Sequence, residues 1–242
     1  MEKKEFEILM KEKLEQIQIR LTEFQIEQFY KYMNLLIEWN SKMNLTAIVE
    51  PEEIILKHFI DSITISKYLE GKDNLIDIGT GAGFPGIPLK IVNPDIKVTL
   101  LDSLNKRIVF LNEVISGLQL EKIQTIHGRA EEFGKNSKYR EKYDVATSRA
   151  VSNLSVLSEY MLPFVNVGGL CICMKGSEIK DEMQEAKNAI KVLGGRIKEV
   201  DEFCLVNTDI KRNNIVILKE KNTPNKYPRK PGTPAKEPIT QK

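Results

Sequence analysis

A glycine-rich turn, DIGTGAGFPGIP at residues 77–88, constrains the fold more than any other feature of the sequence. It follows the apolar run NLIDI and leads into a helical stretch, so it joins a strand to a helix. Gly79, Gly81 and Gly83 allow the backbone to take positive φ and to approach a ligand with no Cβ in between. A sharp strand-to-helix turn of this kind is shared by proteins that bind nucleotides or adenosyl groups.

Beyond Gly71, short apolar runs alternate with helical stretches. The predicted strands are 74–78, 96–101, 122–126, 143–147, 170–174, 197–204 and 214–219, and the predicted helices are 86–92, 104–117, 153–163 and 178–193. This repetition predicts a parallel sheet with helices on both faces. Only a polar loop separates the last two strands, so we expect them to pair antiparallel. The sequence thus predicts an α/β fold, a mostly parallel seven-stranded sheet with an antiparallel C-terminal hairpin, typical of class I (Rossmann-like) methyltransferases.

The N-terminal part of the chain is predicted to be helical. It contains one stripe of apolar residues at helical spacing: Ile26, Phe29, Tyr30, Met33 and Ile37. Thr22 and Gln25 are placed for a capping box at the start of this helix. A further helix is predicted to begin at Pro51, where a missing N–H does no harm. Its apolar face would be formed by Ile55, Phe59, Ile60 and Ile63.

Composition divides the chain into three parts. We expect residues 1–70 to form a helical extension packed on the catalytic domain, and residues 71–221 to form the cofactor-binding domain. From Lys221 to the end there are six basic residues and one acidic residue, interspersed with five prolines. Proline extends neither a helix nor a central strand, so residues 222–242 are predicted to be a basic, flexible tail.

Two cofactor classes fit the glycine-rich turn. Gly81, Gly83 and Gly86 satisfy the G-x-G-x-x-G spacing of dinucleotide-binding proteins, so a nicotinamide cofactor is one alternative. Asp77 favours S-adenosylmethionine, because an acid at the end of the strand can hold the ammonium group of the methionine moiety. Two prolines in the turn also favour it, since a pyrophosphate site needs free N–H donors there. The antiparallel end of the sheet is the third argument for the adenosyl cofactor.

Further candidate residues follow the next three strands. Asp102 ends the second strand, about twenty residues beyond the turn, where a carboxylate accepts the ribose hydroxyls in both cofactor classes. Ala130 and Glu131 are placed to frame the adenine, although a solvated helix start is an alternative for Glu131. Arg149 follows the fourth strand, where substrate and cofactor meet in this fold, and is the candidate catalytic residue.

The cysteines predict neither a disulfide framework nor a metal site. Cys171 and Cys173 alternate within one apolar run and are expected to be buried. No C-x-x-C or Cys/His cluster occurs, so we expect no metal. The acidic N-terminus is unlike a targeting peptide, and no apolar run reaches the ~20 residues of a membrane span. We therefore expect a cytoplasmic protein, and a monomer without a membrane partner.

Longer segments resemble one enzyme family, the glucose-inhibited division protein B family (GidB, also RsmG). The segments are WNSKMNLTAI (39–48), HFIDSI (58–63), DIGTGAGFPGIP, LLDSLNKRIVFL, HGRAEEF, SRAV, MKG and the tail KYPRKPGTPAKEPI. Together they span nearly the whole chain. The resemblance implies methyl transfer from S-adenosylmethionine to N7 of a guanine in 16S ribosomal RNA. It also implies these cofactor contacts: Gly79, Phe84, Ala130, Glu131 and Arg149, with Asp102, Ser103 and Leu104 at the ribose edge.

An N7 acceptor explains why the sequence shows no obvious catalytic histidine or carboxylate. The N7 lone pair is free at neutral pH, so the enzyme mainly has to position the reactants. In A-form RNA this atom lies in a deep, narrow groove, so the target is expected in a loop or a splayed base of 16S rRNA or the small ribosomal subunit. The candidate RNA-phosphate contacts are Lys175, Arg212, Arg229 and Lys230. A methyltransferase for a small molecule or another RNA is the alternative.

Overall fold

In the computed structural model, which describes residues 1–149 and 152–240, seven strands form one sheet. They are β1 Asn74–Ile78, β2 Lys97–Asp102, β3 Ile123–His127, β4 Tyr143–Arg149, β5 Val165–Lys175, β6 Gly195–Cys204 and β7 Lys211–Lys219. Their order across the sheet is β3-β2-β1-β4-β5-β7-β6. The last two positions of the SRAV segment and of the tail lie outside the described residues.

The pairing confirms the predicted fold class. Strands β1 to β5 pair in parallel, whereas β7 pairs antiparallel with both β5 and β6. β5 and β7 begin earlier than predicted. Val165 pairs with Tyr143 although two glycines interrupt the apolar run that follows it, and Lys211 pairs with Cys204 at the start of a polar stretch. The chain order reverses at β1, which lies between β2 and β4. The carboxyl ends of these parallel strands therefore meet at one edge of the sheet, where α/β proteins bind their ligands.

Helices precede the sheet and link its strands. The N-terminal helices are Lys3–Gln16, Glu23–Met43 and a third that runs through Pro51–Glu53, a π-helical stretch Ile54–Ile60 and Asp61–Ile63. The later helices are Gly86–Val92, Asn105–Gly117, Ala130–Phe133, Leu154–Met161, Lys180–Val192 and Thr233–Lys236. Short 3₁₀ turns occupy Ser66–Leu69 and Leu162–Phe164. The capping box is confirmed, since the side chains of Thr22 and Gln25 accept hydrogen bonds from each other's backbone N–H groups.

Two apolar clusters cover the two faces of the sheet. One joins the N-terminal helices to alternate residues of the strands, such as Leu75 and Leu100. The other joins the intervening residues, including the buried Cys171 and Cys173, to the helices that flank β5. No helix among residues 1–149 and 152–240 is long and apolar enough to cross a membrane. Because the first cluster continues from the extension into the sheet, the extension and the sheet share one core.

The apolar stripe of the helix Glu23–Met43 is rotated relative to the prediction. Tyr32 and Leu36 are fully buried, whereas Tyr30 is half-buried and Ile37 is exposed. Tyr32 reaches the glycine-rich turn, where its hydroxyl donates a hydrogen bond of 2.5 Å to the carbonyl of Ala82. Its ring also stacks on Phe84, with centroids 5.3 Å apart. The helical extension therefore supports the turn directly.

The C-terminal segment, residues 222–240, packs against the sheet domain, which corrects the expectation of a flexible tail. A proline-rich segment forms no regular ladder of backbone hydrogen bonds, so its carbonyls need other donors. Arg140 supplies them. Its guanidinium donates to the carbonyls of Thr223 and Tyr227 at 2.6 and 2.8 Å. Pro234 is buried, and Arg229 forms an ion pair with the fully buried Glu159. Partner groups on the sheet domain therefore hold this segment in place.

Removing the Tyr32 hydroxyl tests the support of the turn. Tyr32→Phe is expected to lower the free energy of unfolding by about 1 kcal/mol, since the buried carbonyl of Ala82 loses its donor. Urea unfolding measures this effect. Tyr30→Phe is the matched control, because the Tyr30 hydroxyl makes no hydrogen bond to the described residues. Equal losses in the two variants would contradict the assigned role.

Candidate active site

Two cavities lie at the carboxyl edge of the sheet and share part of their walls. The larger, of about 710 Å³, extends from the glycine-rich turn to Arg149, Lys175 and Arg212. The smaller, of about 150 Å³, is bounded by Ile78, Leu101, residues 128–131 and Tyr160. Gly79, Asp102 and Ser103 line both cavities. An elongated ligand with two chemically different ends can therefore lie across the end of β1.

The three glycines of the turn have different roles. Gly79 and Gly81 line the larger cavity, but Gly83 lines neither. A Cβ built on Gly81 meets no protein atom within 4 Å, so it would project into open space. A Cβ on Gly83 would lie 2.6 Å from both Ile87 and the Tyr32 hydroxyl. Gly83 is therefore required for packing, whereas Gly81 leaves space for a ligand.

Asp77 braces the turn from inside the protein. Its Oδ2 accepts hydrogen bonds from the Thr80 hydroxyl at 2.6 Å and from the Gly86 N–H at 2.8 Å. The side chain is fully buried and lines neither cavity, which corrects the expectation that it faces the cofactor's ammonium group. Burial raises the pKa of the Asp77 carboxyl to about 7, although both hydrogen bonds oppose the shift.

Asp102 organises the loop that follows β2. Its two oxygens accept the N–H groups of Gly81 and Leu104, each at 2.9 Å. The Arg107 guanidinium contacts the same carboxylate at 3.1 and 3.4 Å. The Leu104 side chain points away from both cavities and is 43% exposed. Asp102 thus connects the glycine-rich turn to the second loop and faces both cavities.

Arg149 joins β4 to the N-terminal extension. Its Nη1 donates to the carbonyl of Lys57 at 3.1 Å and to Oδ2 of Asp61 at 3.3 Å. The guanidinium also lies over the ring of Phe84, 5.0 Å from its centroid. Burial lowers the pKa of Arg149, and the nearby Asp61 opposes that shift. Arg149 therefore forms part of the wall between the turn and the extension.

His58 is a site residue to which the sequence analysis assigns no role of its own. Its ring stacks on Phe84 with centroids 4.4 Å apart, and it lines the larger cavity. Burial and the charge of Arg149 lower the pKa of His58 to about 3, so the ring is neutral at pH 7. Nδ1 accepts from Arg149, which leaves Nε2 to donate to the Thr46 hydroxyl at 2.9 Å. The only sequence signal was its place in the HFIDSI segment.

The candidate RNA contacts are scattered. Lys175 and Arg212 line the larger cavity, where Lys175 pairs with Glu182 at 2.6 Å and Arg212 with Asp61 at 3.3 Å. Lys230 is exposed and lies outside both cavities. Arg229 binds Glu159 through four hydrogen bonds of 2.7 to 3.1 Å. Because its guanidinium is already paired with Glu159, Arg229 does not offer a free charge to RNA phosphates.

The smaller cavity is lined by a carboxylate and an aromatic ring. Ala130 lines it, and Glu131 is only 5% exposed, so Glu131 is not a solvated helix start. One Glu131 oxygen accepts the N–H of Gly232 at 2.9 Å. Tyr160 also lines this cavity. In the described parts of the chain, no cluster of three His, Cys, Asp or Glu residues is placed to hold a metal ion.

Comparisons with known proteins agree with this geometry. A family model described as rRNA small subunit methyltransferase G (GidB) matches residues 25–212. The chain is 52% identical over 237 residues to Ribosomal RNA small subunit methyltransferase G of Alkaliphilus metalliredigens, covering 97% of this chain and 99% of that protein. It is 57% identical over 223 residues to the protein of the same name from Acetivibrio thermocellus, covering 92% of each.

Solved structures with low sequence identity share the fold. A SAM-dependent methyltransferase from Aquifex aeolicus matches with a TM-score of 0.52 at 16% identity, over 75% of this chain and 98% of that one. TYW2 of M. jannaschii in complex with AdoMet matches with a TM-score of 0.52 at 12% identity, over 66% of this chain and 76% of that one. These likenesses confirm the class I methyltransferase architecture.

The buried, neutral His58 predicts a specific dependence of stability on pH. Between pH 6.5 and about 3 the unfolded chain binds a proton at this position and the folded protein does not, so the free energy of unfolding falls as the pH is lowered. His58→Asn, which keeps an acceptor for Arg149, is expected to flatten this slope by up to about 1.4 kcal/mol per pH unit. Urea unfolding at pH 4.5, 5.5 and 6.5 measures it, and equal slopes would contradict a neutral His58.

Proposed function

This chain belongs to the rRNA small subunit methyltransferase G (GidB) family, and we propose that it transfers a methyl group from S-adenosylmethionine to N7 of a guanine in 16S ribosomal RNA. The observation that carries the proposal is the pair of cavities joined at Gly79, Asp102 and Ser103. Their common wall lies at the end of β1, where class I methyltransferases bind their cofactor. Action on ribosomal RNA is in keeping with a cytoplasmic enzyme.

The cavities fit the two ends of the cofactor. The smaller cavity would hold the adenine between Ala130 and Tyr160, with Glu131 accepting from its amino group. Asp102 would accept the ribose hydroxyls. Arg107 is its most distant partner and is 34% exposed, so the hydroxyls would replace Arg107 and leave the backbone N–H bonds in place. The methionine moiety would lie along Gly79 and Gly81 in the larger cavity.

The remainder of the larger cavity would receive the guanine. The bound cofactor supplies an electrophilic methyl group on a sulfonium, and the N7 lone pair needs no deprotonation before attack. Positioning therefore accounts for the chemistry required of the protein. Phe84, His58 and Arg149 form a rigid stack beside this space, and the neutral His58 serves as a hydrogen-bonding support.

Basic groups around the mouth support an RNA substrate. Lys57, Lys175 and Arg212 line the larger cavity, and Arg107 lies on its other side. Cationic groups beside a cavity of this kind attract the phosphates that flank a target nucleotide. The base itself would enter from a loop or a splayed strand, since its N7 is out of reach within an A-form helix.

Replacing Gly81 tests the cofactor site. Gly81→Leu would place a side chain in the space proposed for the methionine moiety, so we expect the affinity for S-adenosylmethionine to fall at least about 100-fold. Isothermal titration calorimetry measures the dissociation constant. Gly71→Leu is the control, because Gly71 has a similar positive φ and an equally open Cβ position but lies outside both cavities. Tight binding by the Gly81 variant would refute the assignment.

Methyl transfer itself gives the direct test. The protein is incubated with S-adenosylmethionine that carries a labelled methyl group, together with small ribosomal subunits or 16S rRNA that lack the modification. The label is expected in a single guanosine methylated at N7, identified by nuclease digestion and mass spectrometry. Label in another RNA position, or only in small molecules added to a parallel reaction, would contradict the proposed acceptor.

A further inference from the structure

We propose that the C-terminal segment, residues 222–240, is a strap that positions the adenine end of the cofactor site. The inference rests on the proposed function, because it takes the smaller cavity as the adenine site. The strap contacts one residue that lines that cavity and the chain neighbour of another. Gly232 donates its N–H to the Glu131 carboxylate, and Arg229 is bound to Glu159, the neighbour of Tyr160. Glu131 and Tyr160 both line the cavity.

The bond from Gly232 orients the Glu131 carboxylate. The Oε1 atom of Glu131 accepts it at 2.9 Å, and no group among the described residues donates to Oε2. A carboxylate with one oxygen fixed by a backbone N–H loses rotational freedom, so its second oxygen keeps a defined direction. Adenine offers an amino group as a donor. The strap therefore prepares an acceptor before the cofactor arrives, which reduces the entropic cost of binding.

The ion pair between Arg229 and Glu159 holds the helix that carries Tyr160. The Glu159 side chain is 1% exposed, and both of its oxygens accept from the Arg229 guanidinium. A backbone N–H bond from Arg229 to the same carboxylate completes the set at 2.7 Å. A buried carboxylate that loses such a partner is strongly destabilised. Removal of the guanidinium would therefore displace the end of the helix Leu154–Met161 that carries Tyr160.

The rest of the strap is anchored away from the cavity. Arg140 bonds to the carbonyls of Thr223 and Tyr227, and the buried Lys219 bonds to the Thr223 hydroxyl at 2.6 Å. These contacts lie between the end of β7 and Arg229, so they hold the strap even when the Arg229 pair is removed. A change at Arg229 is therefore expected to act locally, on the adenine end, rather than to release the whole segment.

Binding of the cofactor and docking of the strap are then coupled, and each must stabilise the other by the same free energy. Arg229 is a positioning residue in this scheme, since it acts through Glu159 and touches neither reactant. A tail that grips RNA would behave differently: its loss would weaken RNA binding and reduce the salt dependence of that binding.

The test compares full-length variants. Arg229→Met is expected to weaken binding of S-adenosylmethionine and S-adenosylhomocysteine about tenfold, the effect of losing one charged hydrogen-bond network. Calorimetry measures it. The KM for the cofactor should rise similarly, while kcat at saturating cofactor and the affinity for the small-subunit rRNA stay unchanged. Arg229→Lys should restore part of the affinity, and Lys236→Met, at an exposed position of the same segment, should match the wild type.

Several results would overturn the proposal. One is a loss of RNA affinity and salt dependence in Arg229→Met with unchanged cofactor binding, which would make the segment an RNA grip. Another is a lower melting temperature with both affinities unchanged, which would make the ion pair merely structural. If Arg229→Met does not fold, hydrogen exchange of the wild type decides: S-adenosylhomocysteine should slow exchange across residues 222–240, and unchanged exchange refutes the coupling. Failure of the wild type to bind the cofactor would instead refute the proposed function.

Discussion

A guanidinium at the end of β4, on a side chain that is 14% exposed, connects the parts from which the active site is built. Arg149 bonds to backbone carbonyls of the third N-terminal helix and to Asp61, and it lies on Phe84 of the glycine-rich turn. The arginine guanidinium has five N–H donors and remains protonated, so it is buried only where acceptors surround it. The extension supplies those acceptors. The sheet alone would leave this charge unpaired, which explains why the helices before it are part of the site.

Much of the fold could be predicted from the sequence, because the strands carry continuous apolar runs and the helices carry apolar residues at regular spacing. The rotated stripe of the second helix shows where this reasoning ends. Tyr30 and Tyr32 are both aromatic and lie two positions apart, so the periodicity alone does not decide which is buried. Tyr32 is buried because its hydroxyl reaches a partner distant in sequence, the Ala82 carbonyl.

The site was predicted less completely, and for two physical reasons. Motifs reveal where backbone approaches a ligand, so Gly79, Gly81 and Asp102 were placed at the cavities. They do not reveal which way a side chain points, as at Asp77, which faces the interior of the turn. Partners distant in sequence are also invisible to motifs. His58, Arg149 and Thr46, for example, form one hydrogen-bonded series. Likewise, the basic, proline-rich composition of residues 222–240 predicts a flexible tail, whereas Arg140 and Glu159 hold this segment in place.

The position of that segment bears on how the protein is made. Residues 222–240 leave the ribosome after every strand of the sheet, and chains fold from the N-terminus during synthesis. The sheet, whose last strand ends at Lys219, is complete before Gly232 is available to Glu131. A chain terminated shortly after β7 would therefore retain every strand and every glycine of the turn, yet lack the contacts that complete the wall of the smaller cavity. A frameshift just after the codons for β7 would therefore alter the smaller cavity and not only a surface segment.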